Sequence, residues 1–123
     1  MSTQKTFSIS KRAQSIRYAW QGIVQFFSRE HNTWVHLMAT IGCGVLAWLT
    51  HVNRVEAVLL LGMITLVWMA ELFNTAIEKV MDLVSPERKP EVRFIKDVSA
   101  AAVLVTAVAA LITGLLIFLP KIV

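Results

Sequence analysis

Residues 98–119 read VSAAAVLVTAVAALITGLLIFL, a run of 22 positions without one ionisable side chain. A spanning α-helix needs about 20 predominantly apolar residues. This run meets that need between Lys96-Asp97 on one side and Pro120-Lys121 on the other, which makes the chain an integral membrane protein. Two further runs agree with it. Thr33 to Thr50 carries no Asp, Glu, Lys or Arg and is interrupted only by His36. Val55 to Ala70 is apolar apart from Glu56, Thr65 and Gly62, and its helical pattern continues past Glu71 to about Val84. That segment reads as one long helix whose far half emerges from the hydrocarbon. The expected spans are residues 32–50, 55–84 and 96–119, within a single domain of residues 1–123.

Composition points the same way. Of 123 residues, 56% are hydrophobic and 16% charged, against about 45–50% and 25% in soluble domains. So short a chain has little interior to fill, and the apolar excess is therefore matched to a bilayer. The net charge of +4 suits anionic lipid headgroups, and no nucleic-acid partner is expected. Cys43, the single cysteine, lies in an apolar run; it builds no disulfide framework and reads as a small apolar residue. The first 30 residues hold five Lys/Arg and no apolar run of signal length, so the first hydrophobic segment is expected to stay in the mature protein.

The distribution of Lys and Arg orients the spans. Residues 1–31 carry five and residues 83–97 carry four, whereas the 51–54 turn has only Arg54 and the C-terminus only Lys121. The N-terminus and second loop are expected on the cytoplasmic face of the membrane, with the turn and C-terminus outside. So short a turn makes the first two spans an antiparallel pair. Ahead of them, Ile16, Ala19, Trp20, Ile23 and Phe27 recur at helical spacing, with Arg17, Gln21 and Ser28 elsewhere on the wheel. That pattern predicts an amphipathic helix over about residues 10–29, lying in the cytoplasmic interface. The fold class is all-α: three transmembrane helices and an N-terminal interfacial helix.

Chemistry concentrates on the second span. Glu71, Asn74, Glu78 and Asp82 follow spacings of three, four and four, an arc of roughly 80°. Carboxylates near hydrocarbon cost about 2.5 kcal/mol or more on insertion scales. The wet face of a helix leaving the membrane accounts for Asp82 and Lys79, but poorly for Glu71, which follows sixteen mostly apolar residues. Asn74, one turn on, can orient a carboxylate or a hydroxyl. Lys96-Asp97 opens the third span on the same side. There Asp97 would cap or complement the helix dipole and Lys96 would snorkel to the interface. Beside Glu71 and Glu78, the pair also suits Mg²⁺ held by carboxylates, with a lysine on the phosphates that the metal bridges. No glycine-rich phosphate loop is present, so a phosphotransferase here would belong to neither common kinase class.

The stretch Ala70-Glu71-Leu72-Phe73-Asn74-Thr75-Ala76-Ile77-Glu78, followed by Asp82 and by Lys96-Asp97 with Ala100-Ala101-Ala102-Val103-Leu104, resembles the prokaryotic diacylglycerol kinase family, which includes the undecaprenol kinases. Trp20-Gln21-Gly22 and Glu30 also fall where that family has its Trp-x-Gly and an interfacial glutamate. The likeness runs from about Ser10 to Leu119. It implies an ATP-dependent lipid kinase, homotrimeric, with composite active sites at the cytoplasmic interface. By the same resemblance, Glu71 is similar to the general base and Asn74 to the residue positioning it. Glu30 and Glu78 would hold Mg²⁺, Lys96 the transferring phosphate, and Asp97 the nucleotide. Lys11, Tyr18, Glu87, Arg88 and Lys89 would lie on the nucleotide side. Lys11 stands where better-known diacylglycerol kinases have arginine. Arg29-Glu30-His31-Asn32-Thr33-Trp34-Val35-His36 looks like the undecaprenol kinase branch, which favours undecaprenol over diacylglycerol as acceptor. His36 itself reads as a packing or interfacial histidine.

Two other functions fit the residues alone. A proton-coupled transporter would use Glu71 and Glu78 as a relay, although they sit at one edge rather than across the midplane. A noncatalytic membrane subunit would bind a partner helix along the polar stripe.

Overall fold

The computed structural model describes residues 8–123, which form four α-helices: α1 (Ile9–Arg29), α2 (Asn32–Leu49), α3 (Arg54–Val84) and α4 (Pro90–Ile122). The last three are long and apolar enough to cross a membrane. The chain divides into two compact units, Met1–Leu37 and Met38–Val123.

In the first unit, Ser8 caps α1 by accepting a hydrogen bond from the Lys11 backbone N–H at 3.4 Å. The helix stops where the Glu30 backbone N–H turns back to the Phe26 carbonyl at 3.1 Å. Phe27 then stands edge-on to Phe26 at 6.0 Å and to Trp34 at 5.9 Å, pinning the bend between α1 and the first turn of α2. Ile16 and Trp20, on the expected apolar stripe, are exposed within the unit, as a helix lying on lipid requires.

In the second unit, the link from α2 to α3 is as short as expected. His51 takes a left-handed φ of 54°, a conformation open to few non-glycine residues, histidine among them. Asn53 then closes a capping box: its side chain accepts from the Glu56 N–H at 2.8 Å, and Glu56 Oε1 accepts from the Asn53 N–H at 3.0 Å. Leu60, Ile117 and Phe118 form the buried core at this pole, with Cys43, Leu46, Ala47 and Val52 packed against them. Cys43 is a free, half-buried thiol, in keeping with its apolar reading. Trp68 donates to Thr40 Oγ1 at 3.0 Å and so ties α3 to α2.

The third spanning helix is longer than expected. It begins at Pro90 rather than near residue 96, and it runs through Pro120 to Ile122 rather than ending at 119. Proline is preorganised for the first helical position, and Glu91 in the first turn complements the dipole. Asp97 is consequently the eighth residue of α4. It is too far along to cap the helix or to meet its terminal dipole, and it pairs instead with Arg93 at 3.7 Å.

α3 and α4 pack against each other in antiparallel fashion. Among the half-buried or buried positions of α3, Leu60, Ile64, Val67, Glu71, Asn74, Glu78 and Met81 form one row. Among those of α4, Val92, Lys96, Ser99, Val103, Thr106, Ala110, Thr113 and Ile117 form another. Alternating steps of three and four are the seam of a two-helix coil. Ion pairs close the seam at both ends: Lys121 to Glu56 at 3.1 Å and Lys96 to Asp82 at 2.6 Å. With 1.5 Å of rise per residue, these bridges stand about 39 Å apart along α3, a little more than the roughly 30 Å hydrocarbon thickness. Large apolar side chains such as Trp48, Leu61, Val105 and Leu116 face outward, the inverse of a soluble bundle.

Candidate active site

The polar stripe of α3 is a seam, not an outer face. Glu71, Asn74 and Glu78 are half-buried and continue the row begun by Leu60, Ile64 and Val67, whereas Asp82 is exposed. Only Asp82 behaves as the wet face of a departing helix. Depth follows from the α3–α4 register. Leu60 packs with Ile117; eleven residues on from Leu60 is Glu71, and eleven back from Ile117 is Thr106. Glu71 thus lies alongside the charge-free run of α4, about 6–12 Å past its start at Val98.

Asn74, one turn nearer the Asp82 end of the seam, is held from α4. Ser99 donates from Oγ to Asn74 Oδ1 at 2.7 Å, and Ser99 is 7% exposed. Sequence reasoning passed over Ser99; its signal was the spacing that puts it on the seam with Val92 and Lys96.

Above the seam, the 85–89 loop and the first turns of α4 enclose a groove of about 730 Å³. Five of the expected nucleotide-side residues line it together: Glu87, Arg88, Lys89, Lys96 and Asp97. Asp82 and Arg93 line it as well and were not among them. Arg88, Lys89, Arg93 and Lys96 outnumber the three carboxylates of Asp82, Glu87 and Asp97. The N-terminus of α4 opens there with no side-chain cap, adding the positive end of a helix dipole. Lys96 does not snorkel freely, since its ammonium is engaged by Asp82.

Glu71, Asn74 and Glu78 do not line the groove. Along α3, Glu78 lies about 6 Å, Asn74 about 12 Å and Glu71 about 16 Å below Asp82. Lys11, Tyr18 and Glu30 belong to the first unit. Lys11 and Tyr18 are exposed on one face of α1, where Tyr18 Oη accepts from Gln14 Nε2 at 2.9 Å, and Glu30 is the half-buried C-cap of α1. Among the described residues, no three His, Cys, Asp or Glu side chains gather closely enough to hold a metal by themselves.

Fold and site together define a multi-pass membrane protein with half-buried carboxylates in one helix seam and a groove lined by more cations than carboxylates at the end of that seam. The profile of the family described as prokaryotic diacylglycerol kinase matches residues 17–118. The chain is 36% identical over 107 residues to a diacylglycerol kinase of Synechocystis sp., covering 86% of this chain and 61% of that protein. It is 35% identical over 108 residues to the undecaprenol kinase of Bacillus subtilis, and 31% identical over 113 residues to a diacylglycerol kinase of Escherichia coli. In each of these two pairs, 88% of either chain is covered. The chain belongs to the prokaryotic diacylglycerol kinase family.

Proposed function

We propose that the chain is an ATP-dependent lipid kinase that moves the γ-phosphate of ATP onto the hydroxyl of a membrane lipid alcohol, undecaprenol in preference to diacylglycerol. The observation that carries this reading is the pairing of half-buried seam carboxylates with a groove of cationic excess at the polar end of the same seam. A lipid alcohol keeps its tail in the bilayer while its hydroxyl reaches Glu71. A nucleotide approaches from water over Arg88, Lys89, Arg93 and Lys96.

The reaction asks mainly for positioning and charge neutralisation. Glu71 takes the proton from the lipid hydroxyl as its oxygen bonds to the γ-phosphorus. The bond from that phosphorus to the β–γ bridging oxygen breaks, and ADP leaves with the electron pair. Asn74 holds the reacting hydroxyl or the base. Lys96 exchanges Asp82 for phosphoryl oxygens, and Asp97 meets the nucleotide. By the resemblance, Mg²⁺ belongs to Glu78 and Glu30, where it would neutralise charge on the β- and γ-phosphates. The donor chemistry suits it, since Mg²⁺ keeps water and phosphate ligands and asks for only one or two carboxylates.

By the same resemblance, the working form is a homotrimer in a bacterial cytoplasmic membrane. Its N-terminus and 85–89 loop lie inside and its C-terminus outside, and residues 1–123 act as one module with sites completed by neighbouring subunits. Outward apolar side chains on all three spans suit both lipid and subunit contacts. Diacylglycerol, yielding phosphatidic acid, is the competing acceptor, because curated relatives carry both names. Initial rates on undecaprenol and diacylglycerol at equal mole fraction in mixed micelles test the choice. The reading expects the higher kcat/KM with undecaprenol. A preference for diacylglycerol reverses the acceptor, and transfer to neither lipid removes the kinase.

A further inference from the structure

We infer that Ser99 is a positioning residue for phosphoryl transfer, one that sets the polarity Asn74 presents to the reacting hydroxyl; the inference rests on the lipid-kinase reading above. A hydroxyl inside a spanning helix has a default partner, the carbonyl three or four residues back on its own helix. Thr50, Thr65, Thr106 and Thr113 all take it, donating to Leu46, Leu61, Val103 and Ala109. Ser99 does not. It reaches across the seam and donates to Asn74 Oδ1 at 2.7 Å.

The consequence is chemical. A carboxamide offers one acceptor oxygen and two N–H donors. With its oxygen engaged by Ser99, the Asn74 amide is held in one orientation, in which the NH₂ group rather than the oxygen is left to meet a further acceptor. A donor at this point of the seam can hold the lipid oxygen while the proton on that oxygen passes to Glu71, one turn deeper. Without the Ser99 hydroxyl the amide is free to turn over and present its oxygen. An acceptor there would compete with Glu71 for the same proton.

The test compares Ser99→Ala and Ser99→Thr with the parent in mixed micelles, reading kcat, the two KM values and thermal unfolding. For Ser99→Ala we expect kcat to fall about fivefold, the scale of one intramolecular hydrogen bond. KM for ATP and for lipid should stay within about twofold, and the melting temperature should fall by no more than the loss of one hydrogen bond between membrane helices would lower it. Ser99→Thr, which keeps the hydroxyl, should recover most of the loss. An active parent whose Ser99→Ala variant keeps full kcat overturns this inference alone. So does a Ser99→Thr variant that melts like the parent yet is no more active than the alanine variant. A Ser99→Ala loss confined to KM or to melting assigns the residue to binding or packing and overturns the positioning role. A parent inactive on every lipid alcohol overturns the inference and the kinase reading together.

Discussion

Freeing Lys96 from Asp82 should tighten nucleotide binding. The ammonium lies 2.6 Å from Asp82 Oδ1, and the two side chains retain 35% and 56% of their exposure. The bridge is therefore wet and screened, and pairs of this kind shift equilibria by about fivefold at most. Phosphate must displace Asp82 to reach Lys96, so the bridge acts as a competitor. Asp82→Asn should lower KM for ATP about two- to threefold with kcat held. The gain should shrink as salt rises, because screening weakens the competing pair in the parent. Lys96→Met removes the cation itself and should lower kcat about 10²-fold or more, the usual cost of losing a preorganised donor to developing negative charge. Steady-state kinetics at low and physiological ionic strength separate the two. A rise in KM for Asp82→Asn would refute the competition and make Asp82 the group that aims Lys96.

Three other perturbations follow from the same geometry. Glu78→Gln should raise the Mg²⁺ concentration that half-saturates the rate, with the lipid KM unchanged; an unaltered Mg²⁺ dependence removes Glu78 from the metal site. Asn53→Ala breaks the capping box of α3 at the pole away from the groove. It should cost about 1 kcal/mol of stability, visible in thermal unfolding, and leave kcat alone. Trp68→Phe loses the bond to Thr40 but keeps the ring in place. Its expected cost is about 0.6 kcal/mol, a typical value for hydrogen bonds between membrane helices, and a loss several times larger would mean that the indole also seals a packing defect.

Much of the fold was legible because the bilayer simplifies the code. The apolar runs and the 51–54 turn predict α2 and α3 to within a residue, since nothing but a helix satisfies backbone groups in hydrocarbon. The start of α4 was less legible: Arg93 looks like a loop charge, and Lys96-Asp97 like the helix opening, until Pro90 is recognised as the first helical residue. Within the site, the helical periodicity of Glu71, Asn74 and Glu78 revealed a shared stripe. Whether that stripe met water or α4 depended on rotation about the helix axis, which periodicity alone does not fix. Ser99 was invisible for a related reason, because a lone serine in an apolar run ordinarily bonds to its own helix. Arg93 was missed as one more interfacial cation, and only the fold of the 85–89 loop brings it into the groove.

The central claim is that Glu71 is the base that prepares a lipid hydroxyl for phosphoryl transfer. The most direct measurement is transfer of labelled γ-phosphate from ATP to undecaprenol and diacylglycerol in Mg²⁺-containing micelles, by the parent and by Glu71→Gln of matched melting temperature. The account predicts labelled lipid from the parent and a loss of about 10²-fold or more in the variant, the range of general-base catalysis. Undiminished transfer by a folded Glu71→Gln variant would contradict it.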